Sequence, residues 1–218
     1  MSAPQHRINP DQPQRELIRA AGVVLRASGI VVHGTETVYG LAARWDSWPA
    51  IQRVAAIKWR ALDKPLSVMV DDPGQIYDLI GWRNATLETL LERVFPAPLT
   101  LVLPRRKPLH PDYWNQFPDL GIRCPDHALS RALAAECGSP IITTSANLAG
   151  DPPPVSAGEL SPVIRDGVDL ILDSGIAPHQ VPSTVVRLDP ERWTVQVLRE
   201  GAWPVDRLEQ VLAALRSE

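Results

Sequence analysis

Four small hydrogen-bonding side chains, Thr143, Thr144, Ser145 and Asn147, follow directly on the apolar run Pro140 to Ile142. Inside a core each would need its own partner. At the mouth of a sheet they can hold a polar ligand; as a turn they can satisfy their own backbone. Lys58 and Arg60 form a second candidate group. A spacing of two keeps them off a shared helix face but points them the same way from an extended segment or turn. So placed, they can clamp a polyphosphate and neutralise charge on a transferring phosphorus; a solvated basic turn would use the same residues. Arg123, in Gly-Ile-Arg-Cys-Pro, sits inside a short apolar run and must find an acceptor. A ligand carboxylate, a phosphate or a structural aspartate would serve. Ser183 and Thr184 open the apolar run that ends at Leu188, either as ligand groups or as a strand cap. Thr35, Thr37 and Tyr39 alternate along the glycine-bracketed stretch from Gly34, which lets their side chains share one pocket.

These residues need elements to carry them. Gln14 to Ser28 has the period of an amphipathic helix, with Leu17, Ile18, Ala21, Val24 and Leu25 on one face. Further helices are expected over 48–57, 72–80, 86–94, 126–137 (Asp126 as N-cap) and 205–215. Apolar, β-branched runs give strands over 30–33, 66–70, 99–103, 121–125, 140–142, 169–172, 183–188 and 194–198. Helices and strands interleave without a repeat or a linker. The expectation is one α/β domain over 14–218 with a twisted mixed sheet flanked by helices. Residues 1–13, polar and rich in proline, read as a loose arm. Residues 34–41 read as a loop following a strand, where α/β proteins place ligands. The proline-stiffened stretch 152–162 reads as a lid.

The totals set limits. The chain has 218 residues, 44% hydrophobic and 22% charged, as in ordinary globular proteins. A net charge of −3 exerts no global pull on nucleic acid or anionic membrane. The 22 basic residues include only three lysines, Lys58, Lys64 and Lys107, so a compact ammonium in the 58–64 stretch stands out. Two cysteines make neither a disulfide framework nor a metal site. No signal peptide or membrane-spanning run is present in the sequence, and the expected compartment is the cytoplasm. Neither dinucleotide-binding nor P-loop glycine patterns occur, and no Gly-x-Ser-x-Gly elbow. The histidines have no metal-ligand spacing.

Taken together, the motifs resemble the YrdC-like family of threonylcarbamoyl-AMP synthases. The resemblance rests on Thr35-Glu36-Thr37-Val38-Tyr39-Gly40-Leu41, Lys58-x-Arg60 with Lys64-Pro65-Leu66, and Phe95-Pro96-Ala97-Pro98-Leu99-Thr100. It continues through Gly121-Ile122-Arg123-Cys124-Pro125, Thr144-Ser145-Ala146-Asn147, Ser183-Thr184-Val185-Val186 and Arg199-x-Gly201, in the family's order. It implies a basic concave cavity and synthesis of L-threonylcarbamoyl-AMP and pyrophosphate from L-threonine, bicarbonate and ATP with Mg2+. A downstream transferase would carry the group to tRNA, and a contact with tRNA itself is allowed. By the same resemblance Lys58 and Arg60 are catalytic and hold phosphates. Thr143, Ser145, Asn147 and Arg199 join them at the nucleotide, and Thr35, Arg123 and Ser183 bind threonine, with no protein metal ligand. The chain ends soon after Arg199, which corresponds to the family's short, single-domain form. Gly34 and Ala97 depart from the usual proline and glycine, and Ala149 from the usual serine. Ser67-Val68-Met69-Val70 contains no histidine near the threonine end, so amino-acid specificity is the open point. The alternative is a non-catalytic RNA- or nucleotide-binding relative, motivated by the run Arg105, Arg106, Lys107.

Overall fold

The computed structural model describes residues 2–216. Its ten-stranded sheet runs in the order β1 (Gln5–Arg7), β8 (Leu170–Asp173), β2 (Val31–His33), β3 (Gly40–Arg44), β7 (Ile141–Ser145), β4 (Ser67–Met69), β6 (Asp119–Arg123), β5 (Leu99–Pro104), β9 (Thr184–Asp189) and β10 (Thr194–Arg199). The pairs β1/β8, β2/β8, β4/β6 and β5/β9 are parallel; β2/β3, β3/β7, β4/β7, β5/β6 and β9/β10 are antiparallel. The expected mixed α/β sheet is therefore what forms.

Alternation along the strands sends neighbouring residues to opposite faces. Val32, Ile142, Val68, Ile122 and Ile171 face one core, together with helices α2 (Trp48–Ile57), α3 (Gln75–Ile80), α4 (Ala85–Val94) and α7 (Val205–Leu215). Val31, Ile141, Met69, Leu170 and Leu172 face a second, smaller core under α1 (Arg15–Arg26) and α5 (Ala128–Cys137). Both faces of the strands are thus buried, which explains their continuous apolar runs. A short helix, α6 (Pro162–Gly167), begins at Ser161, whose hydroxyl accepts from Ile164 N.

The smaller pair of helices leaves part of its face of the sheet uncovered. Register identifies the residues on this part of the face: Ser67 lies beside both Thr143 and Gly121, Arg123 beside Met69, and Gly40 beside Ser145. The polar residues of the sequence motifs are therefore neighbours on this face, two residues along β4 and β7 from Met69 and Ile141 of the core under α1 and α5.

Several expectations are corrected. The expected loose arm over 1–13 does not appear within its described part, residues 2–13: Gln5–Arg7 pairs in parallel with β8, Ala3 N donates to Arg165 O, and Ile8 is buried. The 34–41 stretch is a loop only to Tyr39, after which β3 runs between β2 and β7. The 126–137 helix starts at Ala128, with His127 rather than Asp126 at the cap. Residues 152–162 do not hang free as a lid. Tyr39 N and Ala177 N donate to the carbonyls of Pro154 and Val155, and Ala157 and Leu160 are buried. No helix among the described residues is long and apolar enough to cross a membrane.

Candidate active site

A cavity of about 210 Å3 opens on this face of the sheet. Of the residues picked out by sequence, Thr35, Arg60, Arg123, Thr143, Ser145, Ser183 and Arg199 line it; Lys58 and Asn147 stand just behind Ser145. The lining supplies three guanidinium groups and a row of hydroxyls but no carboxylate.

The basic pair is built on a helix end. Arg60 N donates to Ala55 O and Trp59 N to Ala56 O, the paired bonds of a Schellman cap. Trp59 occupies the left-handed position, at φ 51°, where glycine is usual. The reversal separates the two cations instead of aiming them together. Arg60 enters the cavity, its Nη2 donating to Pro65 O at 2.8 Å. Lys58 turns inward, 3% exposed, and its ammonium donates to the Ser145 carbonyl, to Asn147 O at 2.6 Å and to Asn147 Oδ1 at 3.4 Å. Burial, and then the charge of Arg60, pushes the Lys58 pKa down to about 8.

Lys58 thereby ties down the turn that follows β7. Ser145 Oγ donates to Asn147 Oδ1, and Asn147 Nδ2 donates to Leu148 O and Asp151 O. Ala146 N donates to Tyr39 O, and Ala149 N to Lys58 O. Asn147 is thus spent on holding the turn, and Ser145 is the member that reaches the cavity.

The opposite wall comes from the sheet edge. The β9–β10 pairing slips between Val197 and Arg199, and such a bulge re-aims a side chain. Arg199 Nε and Nη2 both donate to Ser183 O, at 3.1 and 2.7 Å, and Nη2 also reaches Ser183 Oγ at 3.3 Å. Burial, and then Arg123, holds the Arg199 pKa below its usual value. Ser183 Oγ pairs with Thr100 Oγ1 at 2.9 Å. Gly201 lets this wall close: a Cβ there would lie 2.3 Å from Pro182 O and 2.6 Å from Thr184 N.

The floor holds Arg123, 6% exposed. The acceptor it required is a glutamate, Glu36, at 2.5 Å. Thr37 Oγ1 lies 3.5 Å from the same Nη2 and 2.8 Å from Thr35 Oγ1. Thr35 Oγ1 in turn accepts from the Thr37 and Val38 amides and donates to Val38 O, an ST-turn that shapes the loop. Ser67 and Thr100, not picked out as site residues by sequence, also line the cavity. Their signal was register: Ser67 faces Thr143 and Gly121, and a Cβ on Gly121 would meet Ser67 Oγ at 2.9 Å and Thr100 Cγ2 at 3.5 Å. A side chain at 121 would fill the floor.

The arginine run considered for RNA is otherwise engaged. Arg105 donates to the Phe117 and Lys107 carbonyls, and the Arg106 guanidinium lies 5.1 Å from the Trp82 ring centre.

Fold and site together define a single α/β domain whose sheet cradles a cationic, hydroxyl-lined cavity suited to anionic ligands. Residues 23–201 match the model of the family described as "Telomere recombination", Sua5/YciO/YrdC. The chain is 34% identical over 209 residues to a threonylcarbamoyl-AMP synthase of Bacillus subtilis, covering 95% of this chain and 59% of the relative. It is 32% identical to a putative threonylcarbamoyl-AMP synthase of Methanocaldococcus jannaschii, covering 82% of this chain and 83% of that one. The crystal structure of Pyrococcus abyssi Sua5 complexed with L-threonine superimposes with a TM-score of 0.85 at 30% identity, over 95% of this chain and 60% of the other. The chain belongs to the Sua5/YciO/YrdC family. It spans about three fifths of the B. subtilis and P. abyssi proteins.

Proposed function

We propose that this protein is a threonylcarbamoyl-AMP synthase, a nucleotidyltransferase that uses L-threonine, bicarbonate and ATP. The observation that carries the reading is convergence. Of the nine residues assigned to the two substrates, seven, from Thr35 to Arg199, line one cavity on one face of the sheet, and Lys58 and Asn147 stand directly behind Ser145. The names of the relatives support catalysis over a purely binding role.

In this reading Arg123 takes the threonine carboxylate, with Thr35 and Ser183 at the same end. Arg60 contacts the ATP phosphates, and the Lys58 charge behind Ser145 adds to the field they meet; Thr143, Ser145 and Arg199 position the nucleotide, on a turn that Lys58 and Asn147 hold. The threonine amine and bicarbonate give a carbamate and water. A carbamate oxygen then attacks the α-phosphorus, forming a new P–O bond as the bond to pyrophosphate breaks. The protein's part is orientation and neutralisation of charge, which its arginines and backbone-anchored hydroxyls supply without a nucleophile. The lining contains no carboxylate, and no cluster of three potential metal ligands occurs among the described residues. These residues do not fit a resident Mg2+; the ion belongs with the ATP phosphates. The product passes to a separate transferase that modifies tRNA in the cytoplasm, a setting consistent with the buried free thiols Cys124 and Cys137.

The test is pyrophosphate release from Mg-ATP and bicarbonate, with L-threonine against L-serine. Threonine-dependent release supports the reading. Folded protein that binds ATP yet releases no pyrophosphate with either amino acid overturns it.

A further inference from the structure

We propose that Glu36 is a positioning residue: it fixes the guanidinium of Arg123 and so sets where a substrate carboxylate is received. The inference rests on the threonine-using reading above, and it gives a role to the Glu36 of the Thr-Glu-Thr motif, whose hydroxyls alone had been given one.

Glu36 and Arg123 form an ion pair at 2.5 Å with side chains only 5% and 8% exposed. Two charges this deep are held by their mutual geometry, since neither has water to fall back on. The pair is incompletely used. Glu36 Oε2 and Arg123 Nε are buried and have no partner among the described residues. One oxygen therefore anchors one guanidinium nitrogen, and the remaining face of Arg123, which lines the cavity, stays available for a ligand carboxylate.

Glu36 is itself firmly placed. Its carbonyl accepts from His179 N at 2.9 Å, and the Thr35 hydroxyl bonds flank it on one side. The position of Arg123 is thus inherited from the loop of residues 34–38, on a different part of the sheet from β6. Glu36 does not line the cavity and reaches the ligand only through Arg123.

The chemistry of the pair gives the expected direction. Glu36→Gln keeps an acceptor but removes the charge, and it places an NH2 group where Oε2 now has no partner. The hold on Arg123 weakens. A misplacement of about 1 Å at a reacting site can cost on the order of 100-fold. We expect the KM for threonine to rise about 10-fold or more, the KM for ATP to stay within about twofold, and Glu36→Asp, which keeps the charge, to lose less.

The decisive experiment is a double-mutant cycle. The proteins are wild type, E36Q, R123Q and E36Q/R123Q, each checked for cooperative unfolding, with threonine and ATP KM measured by pyrophosphate release. If Glu36 acts through Arg123, E36Q changes the threonine KM by less than about twofold in the R123Q background. If E36Q exerts its full effect there, or raises both KM values alike, the positioning role is overturned. A wild type that releases no threonine-dependent pyrophosphate fails the functional reading instead. The crystal structure of E36Q then judges this inference by itself: a displaced guanidinium sustains it, and an unmoved one overturns it.

Discussion

Lys58→Met separates stability from activity in this site. Methionine keeps the buried stem and removes the ammonium. Two backbone carbonyls, of Ser145 and Asn147, lose their donor, at a cost of about 1–3 kcal/mol each. Against this, the Lys58 pKa falls from 10.5 to about 8 on folding. At about 1.4 kcal/mol per unit, burying this charge costs about 3 kcal/mol. Removing the charge recovers that amount. The two effects largely offset, so the variant should unfold in urea within about 3 kcal/mol of wild type. Turnover should fall far more, about 100- to 1,000-fold, the scale of losing one preorganised electrostatic contact. The same pKa shift gives a signature in pH. Between about 8 and 10.5 the unfolded lysine keeps its proton while the folded one releases it. Wild-type stability should therefore rise with pH across that window, and this rise should vanish in the variant. Urea unfolding at pH 7, 8.5 and 10 beside pyrophosphate release tests all three statements. Turnover within about tenfold of wild type in a folded variant would refute the role of the ammonium, and collapse at pH 7 would refute the offset.

Three further outcomes are expected. Arg199→Lys cannot reproduce the forked contact with Ser183 O; the KM for ATP should rise about tenfold while urea stability stays within about 1 kcal/mol. Gly201→Ala forces a Cβ into backbone at 2.3–2.6 Å and should destabilise by about 1–3 kcal/mol, with turnover falling alongside the melting temperature. His33 is fully buried, and burial first, then His127, lowers its pKa to about 3. It stays neutral in the fold while the unfolded chain binds a proton below pH 6.5. Its contribution is intact above that pH and is lost on acidification, by about 2 kcal/mol at pH 5. His33→Gln should flatten that part of the pH dependence of urea unfolding.

Much of this architecture is legible in the sequence because period and punctuation agree. The helix over 48–57 follows its apolar spacing to the residue, and the Leu99 strand is found within one residue. The failures share a cause. Three of the five residues in the strand from Gly40 to Arg44 are glycine or alanine, poor strand formers, and the strand exists because β2 and β7 pair with it from both sides. The polar end of β7, Thr143 to Ser145, is extended for the same reason. Among the described strands the edge strand Gln5–Arg7 pairs with β8 alone, a partner that no local pattern announces. The site followed the same division. Residue types told of phosphate and carboxylate chemistry, but which cation entered the cavity was decided by the Schellman cap at Trp59. The partner of Arg123 was visible as a requirement and not as an identity, since aspartate elsewhere and Glu36 answer it equally well on paper.

The bulge that turns Arg199 inward lies in the outermost hairpin of the sheet, whose last strand has an open edge and largely exposed side chains. One wall of the cavity therefore stands on the part of the fold that is least walled in, while Arg123 stands on an interior strand. Amide exchange should give the two walls different lifetimes, with the hairpin opening by itself long before the chain unfolds. Occupancy of the cavity then becomes a matter of how long that hairpin stays shut, and a ligand that bridges to Arg199 would act as a fastener on the sheet's frayed margin.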